Sequence, residues 1–170
     1  HFANISDVST LIETKEISPV ELTQHLLSRI ESIDRKLKSY VTVFADRAID
    51  DAKRAEKEIL VGDYRGKLHG IPLSVKDLCY TKGIRTMGGL KVRKDFIPSF
   101  DATVIKRLSS AGAILLGKNA LTEGALSGYN PEFEIPVNPW GHKLWAGVSS
   151  SGSGVAVAAG LCFGSLGTDT

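Results

Sequence analysis

LHGIPLSVKD, residues 68–77, is where the chain changes character: a short apolar run ends on two adjacent opposite charges, Lys76 and Asp77. Such a run, bounded by polar residues and glycine, reads as a strand. GAILLG at 112–117 reads the same way, and its unbroken apolar content is that of a strand covered on both faces. Between the two, Ala102 to Ser110 places Val104, Ile105 and Leu108 at helical spacing. Helix, strand, loop and helix in alternation predict an α/β architecture around a largely buried sheet.

Working outward, Ser18 is a capping residue, Pro19 suits the first helical position, and Glu21 stands where it can close a capping box. Leu22, Leu26, Ile30 and Ile33 follow at helical spacing, so a helix is expected from about Pro19 to Ile33. A second is expected from about Asp46 to Leu60. Ala48, Ala52, Ala55 and Ile59 line one face, Lys53, Arg54, Lys57 and Glu58 the other, and Gly62 ends it. Residues from about 5 to 62 are therefore expected as helical cover, and those from about 68 to 170 as the sheet-forming core. Toward the end, Ser153 to Ala159 reads as a small-residue helix and Leu161 to Leu166 as a strand. The sequence carries no internal repeat, and no linker divides it into two domains.

The 170 residues suffice for one core, with 42% apolar and 24% charged residues and a mean hydropathy near zero, as in a soluble globular protein. No apolar run approaches the ~20 residues of a membrane helix, and the start does not read as a secretory signal. The cytoplasm is the expected location, with no membrane partner. A formal charge of +2 indicates no nucleic-acid surface. Cys79 and Cys162 are far apart, without metal spacing, and read as buried thiols. The chain opens at His1 rather than a methionine and stops at LGTDT without a charged tail, so a piece of a longer protein is expected.

Gly112 to Asn119 nearly spells a phosphate-binding loop, but Asn119 replaces the hydroxyl residue and the four intervening side chains demand burial; a buried strand explains the same letters. Gly152-Ser153-Gly154 is a partial dinucleotide fingerprint without its third glycine or a strand directly before it. His1, His25, His69 and His142 suggest no Ser-His-Asp arrangement and read as structural or exposed. Lysine and serine remain as a base and relay. A lysine acts as a base only when neutral, which burial beside an apolar strand favours. Lys76 has that setting, and pairing of Lys76 with Asp77 or another carboxylate is the alternative. The Ser-Gly cluster at 147–154 is likewise open to reading as a turn feeding a helix N-terminus.

Taken together, GIPLSVKD at 70–77, DA at 101–102 with SAGAILLGK at 110–118, NPW at 138–140, and GVSSSGS at 147–153 through GTDT at 167–170 closely resemble the amidase signature family. The co-linear match runs from about residue 18 to the last. The resemblance implies a mixed β-sheet sandwiched by α-helices, with residues 1–170 as the N-terminal part of one such domain. It also implies a Ser-cisSer-Lys triad acting on a small carboxamide through an acyl-enzyme, without cofactor or metal. By position Lys76 matches the base and Ser149 the bridging serine after a cis peptide bond, with Ser150 and Ser151 holding the turn. Thr170 matches the first of the backbone amides facing the oxyanion. The segment Leu126, Ser127 and Gly128 resembles the loop that approaches the substrate carboxamide. Val148 departs from the family's usual glycine. In the family the attacking serine comes three residues beyond Thr170, so the 170-residue chain alone is expected to be inactive. The resemblance leaves open a homo-oligomer, the glutamine-hydrolysing component of a tRNA-dependent amidotransferase with partner subunits, and a non-catalytic binding domain of the same fold.

Overall fold

The computed structural model of the chain describes residues 1–169. Ser18 caps α2 (Pro19–Arg29) by accepting from the N–H groups of Val20 and Glu21, both at 3.1 Å, and its own hydroxyl donates to Glu56. The expected single helix changes pitch at its end. Ile30–Asp34 is a π-helical turn, followed by the short α3 (Arg35–Leu37). There the Asp34 carboxylate accepts from the N–H groups of Ser39 at 2.9 Å and Tyr40 at 3.0 Å, and reverses the chain. Before it runs α1 (Ile5–Glu13), and after it α4 (Ala45–Leu60), whose Ala48, Ala52, Ala55 and Ile59 are all buried as the periodicity predicts.

The sheet has four strands in the order β1–β3–β2–β4: β1 (Tyr40–Val43), β2 (Pro72–Lys76), β3 (Ile114–Asn119) and β4 (Ser165–Leu166). β2 pairs parallel with β3 and with β4, while β1 joins β3 antiparallel, so the sheet is mixed. β1 lies inside the segment expected to be helical cover. At its register shift Gly117 faces the bulge, where a Cβ would stand 2.4 Å from the Thr42 carbonyl oxygen. β4 is shorter than expected, because Gly160 takes a left-handed conformation (φ +64°) and residues 160–163 turn instead of extending.

Both central strands are buried along their whole length. One face carries Ile71, Leu73, Val75 and Leu115 against α1, α5 (Thr103–Ser110) and Ile59 of α4. The other carries Ile114 and Leu116 against α2, α4 and α6 (Ser151–Ala158). This is the mixed sheet sandwiched by helices that the resemblance implies. No helix of the described residues is long and apolar enough to cross a membrane.

His69 is fully buried: its Nδ1 accepts the Arg65 N–H at 3.1 Å, and Nε2 faces Glu58 Oε2 at 3.0 Å. Burial lowers its pKa, partly opposed by Glu58. Gly112 (φ +77°) packs so closely that a Cβ would meet the ring at 2.3 Å. His1, His25 and His142 are exposed, and Cys79 and Cys162 are buried free thiols.

Candidate active site

β2, β3 and β4 run parallel, so their carboxyl ends open at one edge of the sheet, where ligands bind in open α/β folds. Lys76 is the last residue of β2 and has no exposed surface. Its Nζ lies 2.6 Å from Ser149 Oγ, 2.7 Å from Thr168 Oγ1 and 3.0 Å from Ser150 Oγ. Burial pushes the Lys76 pKa below its ordinary value, with the neighbouring Cys79 thiol opposing. Side chains alternate along a strand, and Asp77 engages Lys118 rather than Lys76. Asp77 Oδ1 is 3.4 Å from Lys118 Nζ, both residues being buried in the sheet. Burial raises Asp77 and lowers Lys118, and each group's charge opposes the shift of the other.

The serine turn is fastened from both sides. The peptide bond between Val148 and Ser149 is cis. The Ser149 carbonyl accepts the Thr122 N–H at 3.3 Å. Ser150 Oγ accepts the Thr168 N–H at 3.1 Å and donates to the Thr168 carbonyl at 3.2 Å, tying the turn to the chain leaving β4. Helix α6 starts at Ser151, two residues earlier than the sequence suggests. Ser151 therefore belongs to the first helical turn, and Ser150 precedes it. Gly152 lies against the end of β3, its N–H donating to the Ala120 carbonyl at 3.0 Å.

Leu126, Ser127 and Gly128 form an exposed loop beside this turn, with Leu126 75% exposed. Gly124 and Ala125 both adopt positive φ, and the Glu123 N–H donates to the Gly128 carbonyl at 2.7 Å. Thr170, matched above to an oxyanion amide, lies outside the described residues. The structure thus brings Lys76, Ser149 and Ser150 together, and sets Leu126–Gly128 two hydrogen bonds away, through Thr122 and Glu123.

Sequence reasoning missed Thr168, although the quoted GTDT contains it, and missed the pairing of Asp77 with Lys118. The signal for the second was two cations at the ends of two adjacent strands with one carboxylate between them. Among the described residues no three His, Cys, Asp or Glu side chains converge to hold a metal ion.

Hydrogen-bonding capacity decides what the cluster can do. Protonated lysine has three donors, whereas the neutral amine has two donors and one lone pair. Ser150 directs its own proton at the Thr168 carbonyl, so it can only accept from Nζ. Ser149, at the shortest distance, can present its O–H to the lone pair of a neutral Lys76. A hydroxyl so polarised can in turn take a proton from a third group.

The family model described as Amidase matches residues 21–170. The chain is 51% identical over 166 residues to a Mycobacterium tuberculosis protein bearing the name amidase AmiD, covering 98% of this chain and 35% of that protein. It is 41% identical over 170 residues to the A component of the glutamyl-tRNA(Gln) amidotransferase of Trichodesmium erythraeum, covering 99% of this chain and 35% of that protein. The native peptide amidase of Stenotrophomonas maltophilia superposes with a TM-score of 0.87 at 34% identity, over 94% of this chain and 34% of that one. The chain thus spans about a third of the length of the relatives it matches.

Proposed function

The chain belongs to the amidase (amidase signature) family, and from that premise we propose that the whole protein hydrolyses a small carboxamide with Lys76 as base and Ser149 as relay. Residues 1–170 are, in this reading, the N-terminal part of one amidase signature domain. The observation that carries it is the 2.6 Å approach of the buried Lys76 Nζ to the partly exposed Ser149 Oγ, beside the hydroxyls of Ser150 and Thr168. Neutral Lys76 takes the Ser149 proton while Ser149 takes that of an attacking serine, whose oxygen adds to the amide carbonyl. The proton returns along the same path to the leaving nitrogen, the C–N bond breaks, and ammonia or an amine departs from an acyl-enzyme. Water, deprotonated through the same relay, then releases the acid. Ser150 and Thr168 hold Lys76 Nζ in place, and Leu126 to Gly128 approach the substrate carboxamide.

The charge state gives a test. Burial depresses the folded pKa of Lys76, so below that value the lysine is cationic and cannot accept a proton. The kcat/KM of the whole protein is expected to rise with pH through one ionisation whose midpoint lies below the ordinary lysine value of about 10.4. A rate independent of pH from mildly acidic to alkaline solution removes Lys76 as the base.

The attacking serine is supplied from outside residues 1–170 in this scheme. The 170-residue polypeptide by itself is therefore expected to release no ammonia from a carboxamide. Turnover that survives repurification overturns that expectation. The likeness to an amidotransferase component supports a second reading, in which the carboxamide is glutamine and partner subunits take the ammonia. Ammonia release from glutamine together with co-purifying partners selects it. A folded whole protein that binds a carboxamide without cleaving it selects a binding role.

A further inference from the structure

Apart from Lys76, two charged side chains at this end of the sheet are almost completely enclosed: Lys118 has no exposed surface and Asp77 has 1%. A buried ion pair is a weak source of stability, because well-packed apolar residues of the same volume often hold a core as firmly. What these two groups hold is therefore informative. Lys118 Nζ, 3.4 Å from Asp77 Oδ1, donates to the Cys79 carbonyl at 2.6 Å and to Thr86 Oγ1 at 2.8 Å. Two of its three donors thus have hydrogen-bond acceptors, and Asp77 Oδ1, which accepts no hydrogen bond, meets Lys118 only as an ion pair. Asp77 Oδ2 accepts the N–H groups of Met87 at 2.9 Å and Gly88 at 3.2 Å. Residues 79–88 are in this way fastened from both ends to β2 and β3.

The line continues toward the relay. The Gly88 carbonyl accepts the Gly124 N–H at 2.9 Å. Gly89 (φ +69°) lies so close that a Cβ there would stand 2.9 Å from the Thr122 carbonyl oxygen and 3.2 Å from Glu123 Cα. Thr122 donates its N–H to the Ser149 carbonyl, and Glu123 donates its N–H to that of Gly128. We propose that Asp77 and Lys118 are positioning residues: through Met87 to Gly89 they set the place of loop 122–128 against Ser149, and with it the place of the substrate carboxamide. The substrate part of this inference rests on the reading above, in which Leu126 to Gly128 approach the carboxamide.

The test uses the whole protein, a carboxamide that it hydrolyses, and amide hydrogen exchange of residues 122–128. D77A/K118M removes both charges together, so neither is stranded. It is expected to raise KM about tenfold, with the acid-limb midpoint unchanged and exchange of the loop amides accelerated. D77N/K118M restores an oxygen for the amide of Met87 and the second acceptor of Gly88, whose N–H also reaches the Asp77 carbonyl at 3.0 Å, and is expected to bring KM back to within about threefold of the parent and to restore protection. Gly89→Ala leaves the pair intact, pushes on Thr122 and is expected to raise KM similarly. It carries the test if D77A/K118M does not fold.

An unchanged KM and unchanged loop exchange in D77A/K118M, or in Gly89→Ala, overturns the inference. So does a shifted acid limb at constant KM, which would mean that the pair acts on Lys76 instead of on the loop. A parent protein that cleaves no carboxamide defeats the proposed function separately, and loop exchange then decides the positioning role alone.

Discussion

Lys76→Ala in the whole protein is expected to lower kcat by about two to four orders of magnitude, the usual contribution of a positioned general base. The fold is expected to survive. Two of the hydroxyl residues that Lys76 touches keep other ties without it, since Ser150 remains bonded to the Thr168 backbone and Ser149 to Thr122. The lysine stem is nonetheless buried, and its loss leaves a void, so some stability goes with the charge. Lys76→Met separates the two effects by filling the volume without a base. Both variants are expected to be equally inactive, with the methionine variant melting higher. Measured rates within a few-fold of the parent, in protein whose circular dichroism is unaltered, exclude Lys76 from the chemistry.

Gly152→Ala is expected to cost about 3 kcal/mol, the upper end of what overpacking costs, and to abolish activity with it. A Cβ at Gly152 would stand 2.5 Å from Ala120 N, 2.5 Å from the Ser39 carbonyl oxygen and 2.6 Å from that of Ala120. All three are backbone atoms at the edge of the sheet, so none can swing aside as a side-chain tip can. The start of α6 must retreat, and Ser149 and Ser150 retreat with it from Lys76. Gly154, two residues on in the same helix, is the control, because a Cβ there meets nothing within 4 Å. Gly154→Ala is expected to stabilise by up to about 1 kcal/mol through helix propensity. Chemical denaturation of the two variants checks both, and similar stability for the pair refutes the steric account.

The helices were legible because their signals are local. Ser18 and Pro19 mark the start of α2, and the alanine stripe of α4 follows one face. The central strands were legible because burial on both faces leaves an unbroken apolar run. β1 was not, since Tyr40–Val43 is a four-residue edge strand placed by the carboxylate of Asp34 and the bulge at Gly117, both matters of tertiary contact. At the site, spacing offered Lys76 as one candidate base, and the resemblance supplied its serine. Nothing local links residues 73 positions apart in the chain. The pairing of Asp77 with Lys118 depends on how β2 and β3 lie together, so adjacency in sequence pointed to the wrong lysine.

The separation of Lys76 from its hydroxyl neighbours also has a consequence for the nascent polypeptide. Ser149 and Thr168 follow Lys76 by 73 and 92 positions, and β4 joins the sheet last in chain order. During synthesis the lysine emerges long before the groups that enclose it, and until they arrive it stays hydrated and carries its proton. Contacts so distant in sequence form late in folding. On the reading proposed above, an unfinished or misassembled chain thereby carries a lysine that cannot yet serve as a base, and the basic group is a property that the molecule acquires at the moment of closure.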